Sequence, residues 1–226
     1  YRYNADVEAG LKSNHITALC EDEMGRVWIG TNGGSLSYYD RKLDKIVSYD
    51  RNAKGDWLST AITAIHTDVA GNIWVTSYGG LFIINVKDIH KPLGAPYGAI
   101  EKKFTKLTSR YVFRDSQGRM WVAAENKIYQ FSANLKDSKS YAVQHLLASH
   151  GQLLELTCIE EDEHKRIWVS SLEGIVYKGN HEDQFSVFQP TLGAKLGSKR
   201  IYSIAKDLKG GLWIGTDNGL GVLNTT

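Results

Sequence analysis

The 226-residue chain is poor in the residues that most often announce chemistry. It has two cysteines, three prolines and two methionines, and no window approaches the ~18 apolar residues of a membrane span. Cys20 and Cys158 fall on the first strands of repeats that would not be neighbours in a ring of five or seven, so no disulfide is expected and both read as packing thiols. The 27 basic and 25 acidic residues nearly cancel, leaving +2, and no dense basic run supplies an electrostatic footprint for nucleic acid. Seven histidines (His15, His66, His90, His145, His150, His164 and His181) lie scattered without zinc-type spacing, so neither a metal nor a cofactor is expected. The string 30–34 lacks the Lys and Ser/Thr of a phosphate loop, and no nucleophile elbow occurs. No charged-then-apolar leader opens the chain. It begins with Tyr1 rather than Met, which is the beginning expected of a piece of a longer product, and such a piece says nothing about a leader or span elsewhere in its parent.

What the chain has in abundance is one pattern, repeated five times: Asp, two residues, Gly, two residues, Trp inside a hydrophobic stretch. The copies are Asp22, Gly25, Trp28; Asp68, Gly71, Trp74; Asp115, Gly118, Trp121; Asp162, Lys165, Trp168; and Asp207, Gly210, Trp213. Lys165 alone breaks it. Successive tryptophans stand 46, 47, 47 and 45 positions apart (74−28, 121−74, 168−121, 213−168), a period of propeller blades rather than of short solenoids. Each copy reads as strand, tight turn, strand. The Asp accepts backbone N–H groups and the Gly takes the positive-φ position of a short hairpin loop, where a lysine is modestly strained.

A second turn follows each Trp strand, as at 30–34, 78–80, 172–174 and 215–219, and leads into a third strand. Fourth-strand candidates are 45–49, 101–107, 141–146 and 184–188. The expected fold is therefore all-β: a β-propeller of four-stranded antiparallel blades, with each Trp packed between neighbouring blades. One domain spans 1–226, with repeats at approximately 13–57, 58–107, 108–152, 153–199 and 200–226. The fifth repeat runs out after its third strand, and residues 1–6 could supply its outer strand. The five repeats are expected to be part of a seven-bladed ring, the alternative being a closed five-bladed ring in which residues 1–4 pair beside 220–223.

Function is expected in the irregular positions. Acidic clusters at Glu21-Asp22-Glu23 and 160–163 sit in hairpin turns, where carboxylates read as solvated caps rather than as a glycoside-cleaving pair. Loops entering the first strand and loops joining the second and third emerge on one face of a propeller. That places Asn32, Trp57, Tyr78, Glu125, Asn126, Asp217 and Asn218 there, with Arg110, Arg200 and Tyr202 near the channel mouth. Aromatic rings beside Asn, Asp and Arg suit carbohydrate, since ring faces stack on C–H surfaces while polar groups take hydroxyls. The competing reading of each residue is an ordinary loop position. Two longer loops, 88–99 with Pro92 and Pro96, and 189–199, add further candidates.

The stretch from Gly10-Leu11 through Trp28-Ile29-Gly30-Thr31 resembles the repeat of the two-component regulator propeller family, as does 209–220 with Trp213-Ile214-Gly215-Thr216. The third and fourth copies are degenerate, with Ala123-Ala124 and Ser170-Ser171 in place of Gly-Thr. The resemblance implies a non-enzymatic sensor region of a hybrid two-component histidine kinase, periplasmic, detecting an oligosaccharide and acting within a homodimer. It implies no direct membrane insertion by this segment and no nucleic-acid partner. Because the family motif is structural, it assigns no catalytic or ligand residues. The alternatives are a propeller lyase or glycosidase with an acid/base pair at the channel mouth, or a pure protein-interaction scaffold.

Overall fold

The fold is built from the hairpin turn outward. The computed structural model describes residues 10–33, 35–48, 61–85, 108–134, 136–147, 154–189 and 200–223, and the backbone of 100–104. In the first turn, Asp22 Oδ1 accepts the backbone N–H groups of Met24 at 2.9 Å and Arg26 at 3.0 Å. Its Oδ2 accepts Arg26 Nε at 2.7 Å and the Trp28 indole N–H at 2.8 Å. One carboxylate thus closes the turn, anchors a guanidinium and fixes the indole. The indole bond recurs in every copy: Trp74 to Asp68 at 3.0 Å, Trp121 to Asp115 at 2.7 Å, and both Trp168 to Asp162 and Trp213 to Asp207 at 2.8 Å. Arg119 and Arg166 repeat the ion pair, Asn72 replaces it with an amide bond, and the fifth copy has Gly211 at that position.

These carboxylates are not the solvated caps expected from the sequence. Asp22, Asp68, Asp115 and Asp162 are buried, and each accepts hydrogen bonds on both of its carboxylate oxygens. Burial alone would raise the Asp22 carboxyl, but the bonds from Trp28 and Arg26 outweigh it and hold the group below its usual range. The Gly of the motif has φ of 75° at Gly25, 80° at Gly71, 78° at Gly118 and 85° at Gly210, and Lys165 is forced to 62°.

The chain forms two compact units, 1–112 and 113–226. The first contains two four-stranded antiparallel sheets. Blade 1 is β1 (Ile16–Glu21), β2 (Val27–Thr31), β3 (Leu36–Asp40) and β4 (Lys45–Ser48), paired in that order. Blade 2 is β5 (Ile62–Thr67), β6 (Ile73–Ser77), β7 (Gly80–Ile84) and β8 (Ile100–Phe104). Trp28 packs in one cluster with Leu36 of its own blade and Ile62, Ile65, Ile73, Val75, Phe82 and Ile84 of the next, as expected of an inter-blade residue. The Arg26 guanidinium is buried over the rings of Trp28 and Tyr38, at 5.8 and 5.5 Å, and its Nη2 has no hydrogen-bond partner among the described residues. The ring faces supply the electrostatic contact instead.

The second unit opens within β9 (Ser109–Arg114), and blade 3 has the order β9, β10 (Met120–Ala124), β11 (Lys127–Phe131), β12 (Ser138–Ala142). After the single turn α1 (Gln144–Leu147) comes blade 4: β13 (Leu156–Glu161), β14 (Ile167–Ser171), β15 (Gly174–Lys178) and β16 (Ser186–Val187). Blade 5 has three described strands, β17 (Ile201–Lys206), β18 (Leu212–Thr216) and β19 (Gly219–Leu223). Segment 1–4 lies outside the described residues, so its expected pairing beside 220–223 does too. The outer strands are where the sequence reading drifted. The third blade's fourth strand covers Ser138–Ala142 rather than 141–146, because an exposed outer strand tolerates Ser and Lys and shows no apolar signal. Residues 144–147 turn into helix. β16 shrinks to two residues of the expected 184–188.

Candidate functional site

The turn between the second and third strands of a blade positions most of the selected side chains. In blade 2, Ser77 Oγ accepts the Gly79 N–H at 3.0 Å and donates to the Gly80 carbonyl at 3.2 Å. Ser171 and Thr216 repeat this device in blades 4 and 5. The residue after the hydroxyl is tied by its own N–H to the strand-entering segment: Asn32 to His15, Tyr78 to Ala61 and Leu172 to Glu155, at 3.0, 3.3 and 3.1 Å. The backbone is hydrogen-bonded at this point, and the Asn32 and Tyr78 side chains are exposed.

In the first unit this brings two candidates together. Tyr78 is half exposed, and the Arg110 guanidinium lies 5.6 Å from its ring centroid. The Thr63 hydroxyl holds the strand carrying Arg110, donating to the Ser109 carbonyl at 2.8 Å and lying 2.9 Å from Thr76 Oγ1. Asn32 is exposed, with its Nδ2 3.3 Å from His15 Nδ1. A cavity of about 330 Å³ lies beside β1, β5 and β9, lined by residues 17–20, 63–66 and 111–112. No carboxylate lines it. Its titratable side chains are Cys20, His66 and Tyr111, and His66 Nδ1 accepts the Thr67 N–H at 2.9 Å.

In the second unit the candidates occupy separate tips. Glu125, at φ 51°, and Asn126 form the turn between β10 and β11, where Asn126 Nδ2 donates to Gln144 Oε1 at 2.5 Å. Asp217 and Asn218 are exposed on the turn between β18 and β19. Arg200 immediately precedes β17, and Tyr202 on that strand is half exposed. Trp57 lies outside the described residues, as do 88–99 and all but Gln189 of the loop 189–199.

Glu160 and Glu161, expected as solvated turn caps, lie instead on the covered strand β13. Glu160 on β13 is pushed above its usual carboxyl range, mainly by burial. Its neighbour Glu161 is fully committed, accepting the Ser116 backbone N–H at 2.9 Å and hydroxyl at 3.0 Å. The two therefore do not form an acid/base pair around an open space. Neither assignment was legible, because adjacent glutamates in a strand point to opposite faces whose coverings the sequence does not specify. Among the described residues no group of three or more His, Cys, Asp and Glu side chains could hold a metal, and no helix is long and apolar enough to cross a membrane.

The two-component regulator propeller profile matches residues 10–33 and 195–218. No curated protein matches the sequence. Among solved structures, the extracellular domain of the BT4673 hybrid two component system from B. thetaiotaomicron aligns with 100% of this chain and 29% of its own, at 19% identity and a TM-score of 0.71. Virginiamycin B lyase from Staphylococcus aureus aligns with 97% of this chain and 70% of its own, at 16% identity and TM-score 0.67. PorZ of Porphyromonas gingivalis, a surface component of its type-IX secretion system, aligns with 99% and 34%, at 18% identity and TM-score 0.66. The chain spans under a third of the two-component structure, and identities this low carry the fold alone. The chain has an all-β propeller fold of antiparallel blades, and its segments 10–33 and 195–218 are similar to the two-component regulator propeller repeat.

Proposed function

We propose that the chain is a non-enzymatic, ligand-binding propeller module of a hybrid two-component sensor, placed outside the cytoplasm and signalling to a histidine kinase. The observation that carries this reading is the exposed Tyr78 ring held under Arg110 at 5.6 Å, on a blade turn whose backbone is fixed. An oligosaccharide is the ligand class that fits: the ring offers a stacking surface and the guanidinium offers donors for hydroxyls. In the same unit Asn32 is the further contact this reading predicts; Glu125, Asn126, Arg200, Tyr202, Asp217 and Asn218 are separate candidate contacts on the second unit, and Trp57 is a candidate contact outside the described residues. The repeat family and the two-component extracellular structure support the sensory assignment. Signalling requires differential affinity. A sugar that binds both signalling states equally shifts nothing, so its site closes at a boundary within the parent homodimer.

Calorimetry of the intact ectodomain against a panel of plant and host glycan fragments tests this. Binding that falls about tenfold in Tyr78→Ala and in Arg110→Ala, at unchanged melting temperature, is the expected result; tenfold corresponds to ~1.4 kcal/mol. Silence from a dimer-competent ectodomain across the panel overturns the sugar assignment. The enzyme alternative, for which the lyase fold is a precedent, would need a second acid or base beside Glu160, and Glu161 is already occupied by Ser116.

A further inference from the structure

Lys178 stands where the other blades carry apolar or aromatic side chains. Across the sheet from the residue before the motif tryptophan lie Tyr39, Ile84, Phe131, Lys178 and Leu223. Lys178 is only 7% exposed, close to Phe131 at 5%. Its Nζ donates to the Gly179 carbonyl at 3.1 Å and stands 5.8 Å from the centroid of the buried Tyr141 ring of blade 3. Lysine is rarely so covered without a carboxylate partner, yet no described carboxylate forms an ion pair with it.

The surrounding charges make the ammonium less favourable still. Arg119 of the β9–β10 turn, itself paired with Asp115, and Lys139 of β12 oppose it, while Glu182 and Asp183 of the turn after β15 favour it. Arg119 acts more strongly than Glu182, and Lys139 more strongly than Asp183, so the field at the amine is positive on balance. Burial first and Arg119 second push the group below the usual lysine range, which enlarges the share of free amine, the nucleophilic form. Access is short: Gly179 is half-buried, and residues 180–184 above it are exposed.

We infer that Lys178 is a site of reversible carbamylation by carbon dioxide. The free amine attacks the carbon of carbon dioxide; an N–C bond forms, one C–O π pair moves onto oxygen, and an amine proton passes to water, leaving a carbamate anion. No oxidant or further reactant is needed. Size selects this electrophile, since a small uncharged molecule reaches an amine that a bulky acyl donor or sugar aldehyde does not. Charge selects it too. An amide would leave the site neutral and a protonated imine would leave it cationic, whereas the carbamate places a negative group beside Arg119 and Lys139.

Carbon NMR of the whole chain in buffer equilibrated with isotope-labelled bicarbonate reads the carbamate carbon. Lys178→Met is the control, and it is expected to fold because the four equivalent positions are apolar or aromatic. The expected result is a resonance in the wild type that is absent from Lys178→Met, grows with dissolved carbon dioxide and weakens as the pH falls and the amine is protonated. A guanidinium chloride midpoint that rises with carbon dioxide at fixed pH and ionic strength, in the wild type but not in the variant, is the second expected readout. Lys178→Arg keeps the charge and lacks the attacking amine, so it serves the same comparison if the methionine variant does not fold. A wild type without a carbamate resonance overturns the proposal. So do wild-type and variant spectra carrying the same resonances, because the N-terminal amine and exposed lysines would then account for all of them.

Discussion

A β-carbon placed on Gly30 would stand 2.5 Å from Ile62 Cγ2 and 3.0 Å from Ile62 Cβ, so blades 1 and 2 approach through a missing side chain. Gly30→Ala is expected to destabilise the chain by about 2 kcal/mol, the usual cost of overpacking a well-filled core. Gly30→Ala combined with Ile62→Ala is expected to cost less than the sum of the two single changes, because the second vacates the space the first demands. Urea midpoints of the four proteins in this cycle measure the coupling.

The residue at this position differs between copies. Two residues after the motif tryptophan stand Gly30, Thr76, Ala123, Ser170 and Gly215. Thr76 Oγ1 lies 2.9 Å from the Thr63 hydroxyl, and Ser170 Oγ lies 2.8 Å from that of Thr157, so each fills its gap with a hydrogen bond. At Thr76 and Ser170 the departure from glycine is matched by a hydroxyl on the neighbouring strand.

Asp115 carries the same four bonds as Asp22. It takes the Arg119 guanidinium at 2.6 Å, the Trp121 indole at 2.7 Å and the backbone N–H groups of Gln117 and Arg119. Asp115→Asn keeps the shape but turns an acceptor into a donor facing Arg119 and Trp121. The expected loss is about 3 kcal/mol, as for breaking a buried ion pair from one side, read by urea denaturation. Asp207→Asn is expected to lose less, since its turn lacks an arginine and its tryptophan is half exposed.

How far the sequence carries can be judged from these residues. The hairpins, the positive-φ glycines and the inter-blade role of Trp28 follow from spacing alone, because hydrophobic period and turn chemistry are local. The indole to Asp bond was not legible, since nothing local says that a turn carboxylate will be covered. The outer strands were poorly bounded for the opposite reason: β12 is solvent-facing and carries no apolar alternation. For the candidate site, the sequence supplied which tips project, but the pairing of Tyr78 with Arg110 depends on adjacent strands whose lateral packing no periodicity encodes.

Acid titration should expose the first turn. The Asp22 carboxyl is held below its usual value of 3.8: burial opposes the charge, but the Trp28 and Arg26 bonds prevail. A carboxyl with a depressed folded value contributes stability that is complete above its unfolded value and is lost as pH falls through the folded one. The Asp22 contribution is therefore constant from neutral pH down to about 4 and disappears below it. Unfolding free energies of wild type and Asp22→Asn, measured between pH 7 and 2, should differ most at the top of that range and converge at the bottom. A constant offset through pH 2 would mean that the charge of Asp22 is not what the turn uses.

The fourth turn offers the converse experiment. Lys165 adopts φ 62° where the other four copies place glycine, and its N–H still reaches the Asp162 carbonyl at 3.2 Å. A left-handed conformation costs an L-residue about 1 kcal/mol that glycine avoids, partly offset by the greater freedom glycine loses on folding. Lys165→Gly is therefore expected to raise the urea midpoint slightly, by a few tenths to about 1 kcal/mol. Gly118→Lys, at φ 78° in an otherwise similar turn, is expected to lower it by a comparable amount. If Lys165→Gly instead destabilises, the lysine side chain contributes a contact worth more than the backbone strain. Repeating the pair in high salt separates the two sources, because a charge contact would weaken with ionic strength and the backbone term would not.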